Sequence, residues 1–485
     1  MDPDAGTRVV QTHVSRLFFV DDRVVKVKLP VHNDFLDLST VAARAQACQR
    51  EVELNRRLSP DVYLGVIDVS LEGRTVEHGV LMRRLPEERR LSGLLDAPEA
   101  PELLREVVQS VVELHRRAER GPEVDEAATP SAMQELWRTG VEQLRAHVGT
   151  VLDEASVARV ELLAREYLDG RRPLIDHRIA RGCACDGHGD LQADDIFCLE
   201  DGPRILDCLE FDDHLRHGDV LSDIAFLAMD LDRRGHPALA RQVLDDHRRW
   251  YHDDWPQSLA DHHMAYRAHV RAKVACLRHS ASGDPADAAE AQQLQSRCVA
   301  HLESGRVLLV LVGGGPGSGK TTLARALARE IGGTVVSSDE VRDQLVPRSE
   351  RPDPVDGGRY APELVDRVYE SMLERAEHLL GMGEHVVLDA SWTSARRRGA
   401  AGRLAARAGA TEVALRCQCP SEVAHERIRR RAESGGDASE ATVEVARHLT
   451  HSADAWAAAT AVPTGSTLEH SLAAALDALA VARAG

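Results

Sequence analysis

Residues 8–29 break into short runs of β-branched and aromatic residues, RVVQTHV, RLFFV and RVVKVKL. The turn Asp21-Asp22 divides the last two, so the runs predict short strands. A helix is predicted over 40–58, closed by Ser59-Pro60, with strands again at 62–69 and 77–84. Over 100–170 apolar residues recur three and four apart with almost no glycine, the helical period. Short strands and loops are expected over 174–213. Helices follow over 219–302, broken by Pro237, Pro256 and the stretch 280–285.

Beyond residue 305 the pattern changes to alternation. Strands are predicted at 307–312, 334–337, 385–388 and 412–417. Helices are predicted at 321–330, within 360–382, at 395–408 and at 421–431. Such alternation implies an α/β domain with a parallel sheet. Two stretches, 347–358 and 432–441, read as loops. No sequence repeat is seen, and a length of 485 residues suggests roughly three compact units.

Composition sharpens this picture. No stretch approaches the ~20 apolar residues of a membrane span. The N-terminus, MDPDAGTRVVQTH, lacks a basic start followed by an apolar run, so no secretory signal and a cytoplasmic location are expected. Nine cysteines form no C-x-x-C pair, which favours free thiols over disulfides or a zinc site. The net charge of −18 is uneven: residues 305–485 hold 22 Lys+Arg against 24 Asp+Glu, leaving 38 against 54 in residues 1–304. An acidic first part repels phosphates, so nucleic acid is not expected there, although the last domain leaves it open. It would suit a cationic small substrate such as an amino sugar. Only four lysines occur, Lys26, Lys28, Lys273 and Lys320. A compact ammonium fits beside phosphates where a guanidinium fork is too wide.

The strongest motif is GGPGSGKT at 314–321, which matches G-x-x-x-x-G-K-[ST] between a predicted strand and a predicted helix. In such a P-loop, the backbone around Gly314, Gly315, Gly317, Ser318 and Gly319 closes on the β-phosphate of ATP or GTP. Lys320 bridges the β- and γ-phosphates, Thr321 binds Mg²⁺, and Thr322 continues the helix N-terminus. Asp339 and Arg342 end the next strand, where Asp339 can take a proton from an acceptor hydroxyl and Arg342 can orient the acceptor or the phosphate. Asp389 ends a Walker-B-like strand and can hold Mg²⁺ or its water. Arg427, Arg429, Arg430 and Arg431 can neutralise transition-state charge, Arg427 and Arg431 foremost. This arrangement resembles the small P-loop kinases of the gluconate kinase, polynucleotide 5′-kinase and zeta-toxin group, over about 150 residues. Those relatives phosphorylate different acceptors, so the resemblance names none.

The first part carries HGDLQADD at 188–195 and ILDCLEF at 205–211, two carboxylate-bearing loops that can face one nucleotide. With Lys26, Lys28 and Glu51 they supply the parts of a protein-kinase-like site. The stretch resembles the aminoglycoside phosphotransferase family, over roughly residues 10–300. The whole chain looks like bacterial proteins that join such a domain to an ATP-binding P-loop domain. The resemblance implies Asp190 as catalytic base and Asp207 as principal Mg²⁺ ligand. It sets Lys26 or Lys28 on the α/β-phosphates and Glu51 on that lysine. His188 would brace the loop and Asp223 would tie it down. The family's asparagine falls on Asp195 here, which can still bind Mg²⁺, and no G-x-G-x-x-G covers the phosphates.

The expectation is thus an α+β bilobal protein-kinase-like domain over 1–303, with a small lobe about 1–90 and a helical large lobe about 91–303. An α/β P-loop domain follows over 304–485. Together they imply an ATP- and Mg²⁺-dependent phosphotransferase acting on a hydroxyl of a small polar, amino-sugar-like molecule. The rival reading is a nucleotide-sensing ATPase switch whose first domain only binds a metabolite. Base candidates in both halves, Asp190 and Asp339, favour the enzyme.

Overall fold

The structure, a computed structural model, describes residues 8–12, 14–33, 36–346, 358–434 and 453–484. Most of the two predicted loops, 347–358 and 432–441, lies outside the described residues. By its internal contacts the chain divides into two compact units. One comprises Met1–Asp153, Asp176–Trp255 and His263–Cys298; the other comprises Glu154–Ile175, Pro256–His262 and Val299–Gly485.

The first unit opens with strands β1 (Arg8–Gln11), β2 (Ser15–Val20) and β3 (Arg23–Lys28), then a two-residue pair β4 (His32–Asn33) and β5 (Leu36–Asp37). Helix α1 (Val41–Asn55) follows, then β6 (Tyr63–Leu71) and β7 (Arg74–Arg83). Thr40 caps α1 by accepting from the Ala43 N–H at 3.1 Å. The strands form one antiparallel sheet in the order β1-β2-β3-β7-β6. Side chains two apart share a face. Val24 lies in the core formed by Cys48 and Val52 of α1 with Val62, Tyr63, Val80 and Met82. Lys26 and Lys28 therefore face α1 as well, and burying two ammoniums there requires partners.

The rest of this unit is mainly helical: α2 (Ala100–Arg117), α3 (Pro122–Ala127) and α4 (Pro130–Arg145). Helix α5 (Glu154–Gly170) belongs to the second unit, and α6 (Arg172–Ala180) follows it. Short strands β8 (Ala184–Asp186), β9 (Ile196–Leu199), β10 (Gly202–Ile205) and β11 (His217–Asp219) come next. They pair antiparallel as β8 with β11 and β9 with β10, which pins the loops between them. Helices α7 (Val220–Arg233), α8 (Pro237–Tyr251), α9 (Gln257–Ser282) and α10 (Pro285–Ser304) complete the region. Eleven of the fourteen residues of α7 are buried, so it is the central helix of the lobe.

The second unit runs β12 (Leu308–Gly313), α11 (Lys320–Ile331), β13 (Thr334–Ser337), α12 (Ser338–Leu345), α13 (Pro362–Gly381) and β14 (Val386–Asp389). Then come α14 (Ala395–Arg407), β15 (Thr411–Gln418), α15 (Ser421–Ser434), β16 (Thr460–Pro463) and α16 (Leu468–Ala484). Its sheet is wholly parallel, in the order β13-β14-β12-β15-β16. Every residue of β12 is buried, as expected of a central strand covered on both faces.

Three features depart from the sequence reading. Residues 172–180 form a helix rather than a strand or loop, because Pro173 sits in its first turn, where a missing N–H costs nothing. Strand β16 and helix α16 lie in a stretch where the alternation predicted no element. The contacts also divide the chain differently from a cut at 303/304, since Glu154–Ile175 and Pro256–His262 join the second unit. Arg171 supplies the physical reason. Fully buried, it donates to Leu380 O, Ala408 O and Gly409 O at 2.7–2.9 Å, carbonyls at the ends of α13 and α14. Those carbonyls have no partner within their own helices.

Candidate active sites

In the first unit, β3 and α1 bring two lysines onto one glutamate. Lys26 Nζ lies 2.9 Å from Glu51 Oε1, and Lys28 Nζ lies 2.6 Å from Glu51 Oε2. Lys26 also pairs with Asp207 Oδ1 at 2.5 Å, whereas Lys28 pairs with Glu210. The Lys28 side chain is 1% exposed; that of Asp207 is 47% exposed. Lys26 thus stands at the open end of the cluster and Lys28 at its closed end. Burial alone would lower the Lys26 ammonium, but Asp207 and Glu51 raise it well above the usual lysine range. Burial likewise pushes Glu51 up, but Lys26 and Lys28 hold it below the ordinary carboxylate value. Lys26 is the main reason Asp207 stays low. Asp207 has a left-handed φ of 62°, uncommon for a non-glycine residue, and its N–H donates to Tyr63 Oη at 3.1 Å.

The loop with Asp190 is held from beneath. Asp223 of α7 accepts from the His188 N–H at 2.7 Å and the Gly189 N–H at 2.9 Å, and pairs with His115 at 3.1 Å. A Cβ on Gly187 would come within 2.4 Å of the Asp223 carboxylate, so only glycine fits there. His188 packs inward, its Nε2 3.2 Å from Leu206 O, and burial lowers its imidazole to about 4. It is a neutral brace. Gln192 donates to Asp190 Oδ1 at 2.9 Å. Burial raises Asp190 to about 6 against the pull of Arg271, with Asp207 adding to the rise. Asp195 is raised well above its ordinary value by burial first, then by Asp207 and Asp190.

This repulsion is the test of a cation. Burial and the Asp207 carboxylate push Asp190 and Asp195 toward protonation, and a divalent ion beside them would relieve it. Among the described residues no three His, Cys, Asp or Glu side chains form a ready-made metal group. Mg²⁺ needs none, since one or two carboxylates plus phosphate oxygens suffice.

In the second unit the predicted P-loop joins β12 to α11. Gly317 and Gly319 adopt φ of 75° and 89°. A Cβ on Gly317 would lie 2.4 Å from Ala424 O, so the close approach of α15 requires glycine. Gly314 donates to Ser391 O at 3.3 Å, and Gly315 O accepts from Ser318 N at 3.2 Å. Ser318 Oγ is buried without a hydrogen-bond partner among the described residues. Lys320 makes no hydrogen bond or ion pair with any described residue. Thr321 acts on the Asp389 carboxyl and helps hold it down, while Thr322 faces solvent. Asp389 is 2% exposed, its Oδ2 lies 3.4 Å from Ser337 Oγ, and its Oδ1 has no partner among the described residues. Burial raises it, and Lys320 draws it down. Asp339 and Arg342 pair at 2.5 Å on the first turn of α12. These residues gather at the carboxyl edge of the sheet, where such folds bind ligands. The loop N–H groups, the free ammonium and the half-satisfied carboxylate fit a magnesium-bound triphosphate.

Of the arginines on α15, Arg427 reaches the loop, donating to Thr464 O at 2.9 Å and Gly317 O at 3.4 Å. Arg429 and Arg430 turn outward onto Glu426. The Arg431 side chain lies outside the described residues. Some participants escaped the sequence reading. Glu210, Tyr63 and Gln192 support the first site, and Glu210 stands only three residues after Asp207 in the quoted motif. Beside the P-loop, Trp392 has a left-handed φ of 53°, and a Cβ on Gly313 would strike the Trp456 ring at 2.3 Å. No spacing rule marks those tryptophans in the sequence.

Residues 309–455 match the family model described as AAA domain. Among solved structures the chain is similar to a choline kinase from Cryptosporidium parvum Iowa II, at 11% identity and a TM-score of 0.39, over 62% of this chain and 87% of that one. It is also similar to a gluconokinase from Sinorhizobium meliloti 1021, at 18% identity and a TM-score of 0.25, over 36% of this chain and 92% of that one. The family match spans the P-loop of the second unit. No helix among the described residues is long and apolar enough to cross a membrane. An uncharacterized protein of Mycobacterium tuberculosis is 39% identical over 470 residues, 96% of this chain and 93% of that one. That likeness runs through both domains, and the chain belongs to the same family of two-domain proteins.

Proposed function

We propose that the chain is an ATP-dependent phosphotransferase. Its kinase-like unit phosphorylates a hydroxyl of a small polar molecule, and its P-loop unit is a second kinase or ATPase. One observation carries this reading: Lys26, Glu51 and Asp207 are linked by ion pairs, and Asp207 acts electrostatically on both Asp190 and Asp195. That is the set a protein-kinase-like transfer needs.

When bound, magnesium-ATP supplies the transferable phosphoryl group. Lys26, oriented by Glu51, binds its phosphates, and Lys28 with Glu210 holds Glu51 in place. Asp207 and Asp195 would hold the metal, which would draw Asp207 partly from Lys26. Asp190 accepts the acceptor's hydroxyl proton at its carboxylate, aided by a value raised toward neutrality. In the P-loop unit the backbone of 314–319 and Lys320 bind the phosphates. Thr321 and Asp389 would hold the metal, Asp339 would accept the proton, and Arg342 and Arg427 would stabilise charge.

The test is labelled ATP with a metabolite extract, run on the wild type, Lys320→Ala and Asp190→Asn. Each variant should lose its own labelled product and keep the other's. ATP hydrolysis with no phosphorylated product from any hydroxyl compound would instead identify a nucleotide-sensing switch.

A further inference from the structure

The acidic excess of the first 304 residues suggested a cationic acceptor, but the charge beside Asp190 is of the opposite sign. Arg267 and Arg271 stand four apart on α9 and so share one face. Arg267 is buried and committed. It donates to Gly189 O at 3.0 Å and Ser222 Oγ at 2.9 Å, with its guanidinium 4.9 Å from the centre of the Phe226 ring. Gly189 directly precedes Asp190, so this face of α9 adjoins the loop that carries the base.

Arg271 lies one turn further along the same face. It is half-buried, and it makes no hydrogen bond or ion pair with any described residue. Its charge nevertheless acts on the Asp190 carboxyl more strongly than that of any other side chain. Several acidic groups elsewhere in the lobe are already matched. Asp230 pairs with Arg233 and Arg234, Asp232 with Arg297, and Asp287 with Arg278. Beside the base, next to the carboxylates of Asp195 and Asp207, stands a guanidinium with no partner among the described residues, a planar fork suited to a carboxylate or phosphate. A global excess of negative charge does not override it, because salt screens exposed charges beyond about 10 Å.

We infer that the acceptor of the kinase-like unit is an anionic alcohol, bound through its carboxylate or phosphate by Arg271 while its hydroxyl meets Asp190. This rests on reading Asp190 as the base.

The probes are gluconate, glucose 6-phosphate and glucosamine, titrated calorimetrically into the full chain with Mg²⁺ and a non-hydrolysable ATP analogue. Lys320→Ala is the background, to weaken phosphate binding at the P-loop. At least one anionic probe should bind about tenfold tighter than glucosamine, and whichever does identifies carboxylate or phosphate as the preferred group. Arg271→Gln should remove that preference, a loss of about tenfold, the scale of a charge-assisted bond. Arg271→Lys should keep part of it, which excludes a folding defect. Tighter glucosamine binding, no difference among the probes (including no binding), or unchanged anion affinity in Arg271→Gln overturns the inference. Transfer assays with the same compounds separate the two claims. Asp190-dependent phosphorylation of glucosamine alone would sink the anionic acceptor and leave the base assignment standing. Arg271-dependent anion binding with transfer unaffected by Asp190→Asn would do the reverse.

Discussion

On the proposed reading, the first unit and the P-loop unit meet the same task, holding a triphosphate, with opposite materials. The first assembles its site from charged side chains drawn from positions 26 to 210, and Glu51 joins two lysines there. The second builds its cradle mostly from backbone between 314 and 321, with glycines at positive φ and a lysine that no described side chain engages. A side-chain network places its charges under burial and stakes the fold on keeping them paired. A backbone cradle relies on N–H groups that cost little to keep and on a helix that favours anions unaided. Stability and chemistry are therefore entangled in the first unit and largely separate in the second.

Mutations can break or sharpen this contrast, and the largest effect is expected at Glu51. Glu51→Gln strips the shared partner from two buried ammoniums, and breaking a buried pair typically costs about 3–5 kcal/mol. Denaturant unfolding should show that loss in the kinase-like unit, whereas Lys320→Ala should change stability by less than about 0.5 kcal/mol. Comparable losses from both changes would erase the distinction. For turnover the ranking reverses. Lys320→Ala should lower hydrolysis or transfer by the P-loop unit by about 10²–10³-fold and spare the other activity.

A smaller effect concerns pH. Asp190 must be ionised to act as a base, so transfer by the kinase-like unit should fall as pH drops through about 6. The same shift acts on stability with a definite sign. Folding raises this carboxyl from 3.8 to about 6, so its favourable contribution is complete below the lower value and lost as pH rises through the upper. Without nucleotide, Asp190→Asn should thus be more stable than the wild type at pH 7, by roughly 1–2 kcal/mol after solvent screening. Equal melting temperatures across pH 4–8 would show that the site does not strain this carboxyl. The smallest effects lie on α15. Arg427→Gln should cost P-loop turnover about tenfold, because its guanidinium contacts the loop. Arg429→Gln and Arg430→Gln should stay within about twofold, since both pair with Glu426 in solvent.

Much of both sites was legible before any coordinates. The P-loop could be read outright because its chemistry is local: eight consecutive residues, a strand before and a helix after. Asp190, Asp195 and Asp207 could be read as a motif, but their mutual repulsion could not, because distance and burial set it. The lysines show the limit clearly. Two positions apart on one strand, Lys26 and Lys28 looked equivalent. Their difference depends on Asp207 and Glu210, some 180 residues away in the chain. Likewise, Arg427 and Arg431 stood level among four arginines on one helix, until the position of Gly317 engaged Arg427. The charge tally and the groups around Asp190 point to different acceptors for a related reason, since the tally sums over a whole surface while a ligand meets only nearby groups.

The sequence by itself determined the periodicity of strands and helices, the kinase-like and P-loop architectures, and the residue types able to carry phosphate chemistry. Spacing along the chain encodes each of these. Tertiary structure alone decided which lysine faces the open end of its cluster, which arginine reaches the loop, and where 154–175 belongs. It also decided that a spare guanidinium adjoins Asp190. Each of those depends on desolvation and charge pairing between groups far apart in the chain, and both effects exist only once the chain has folded.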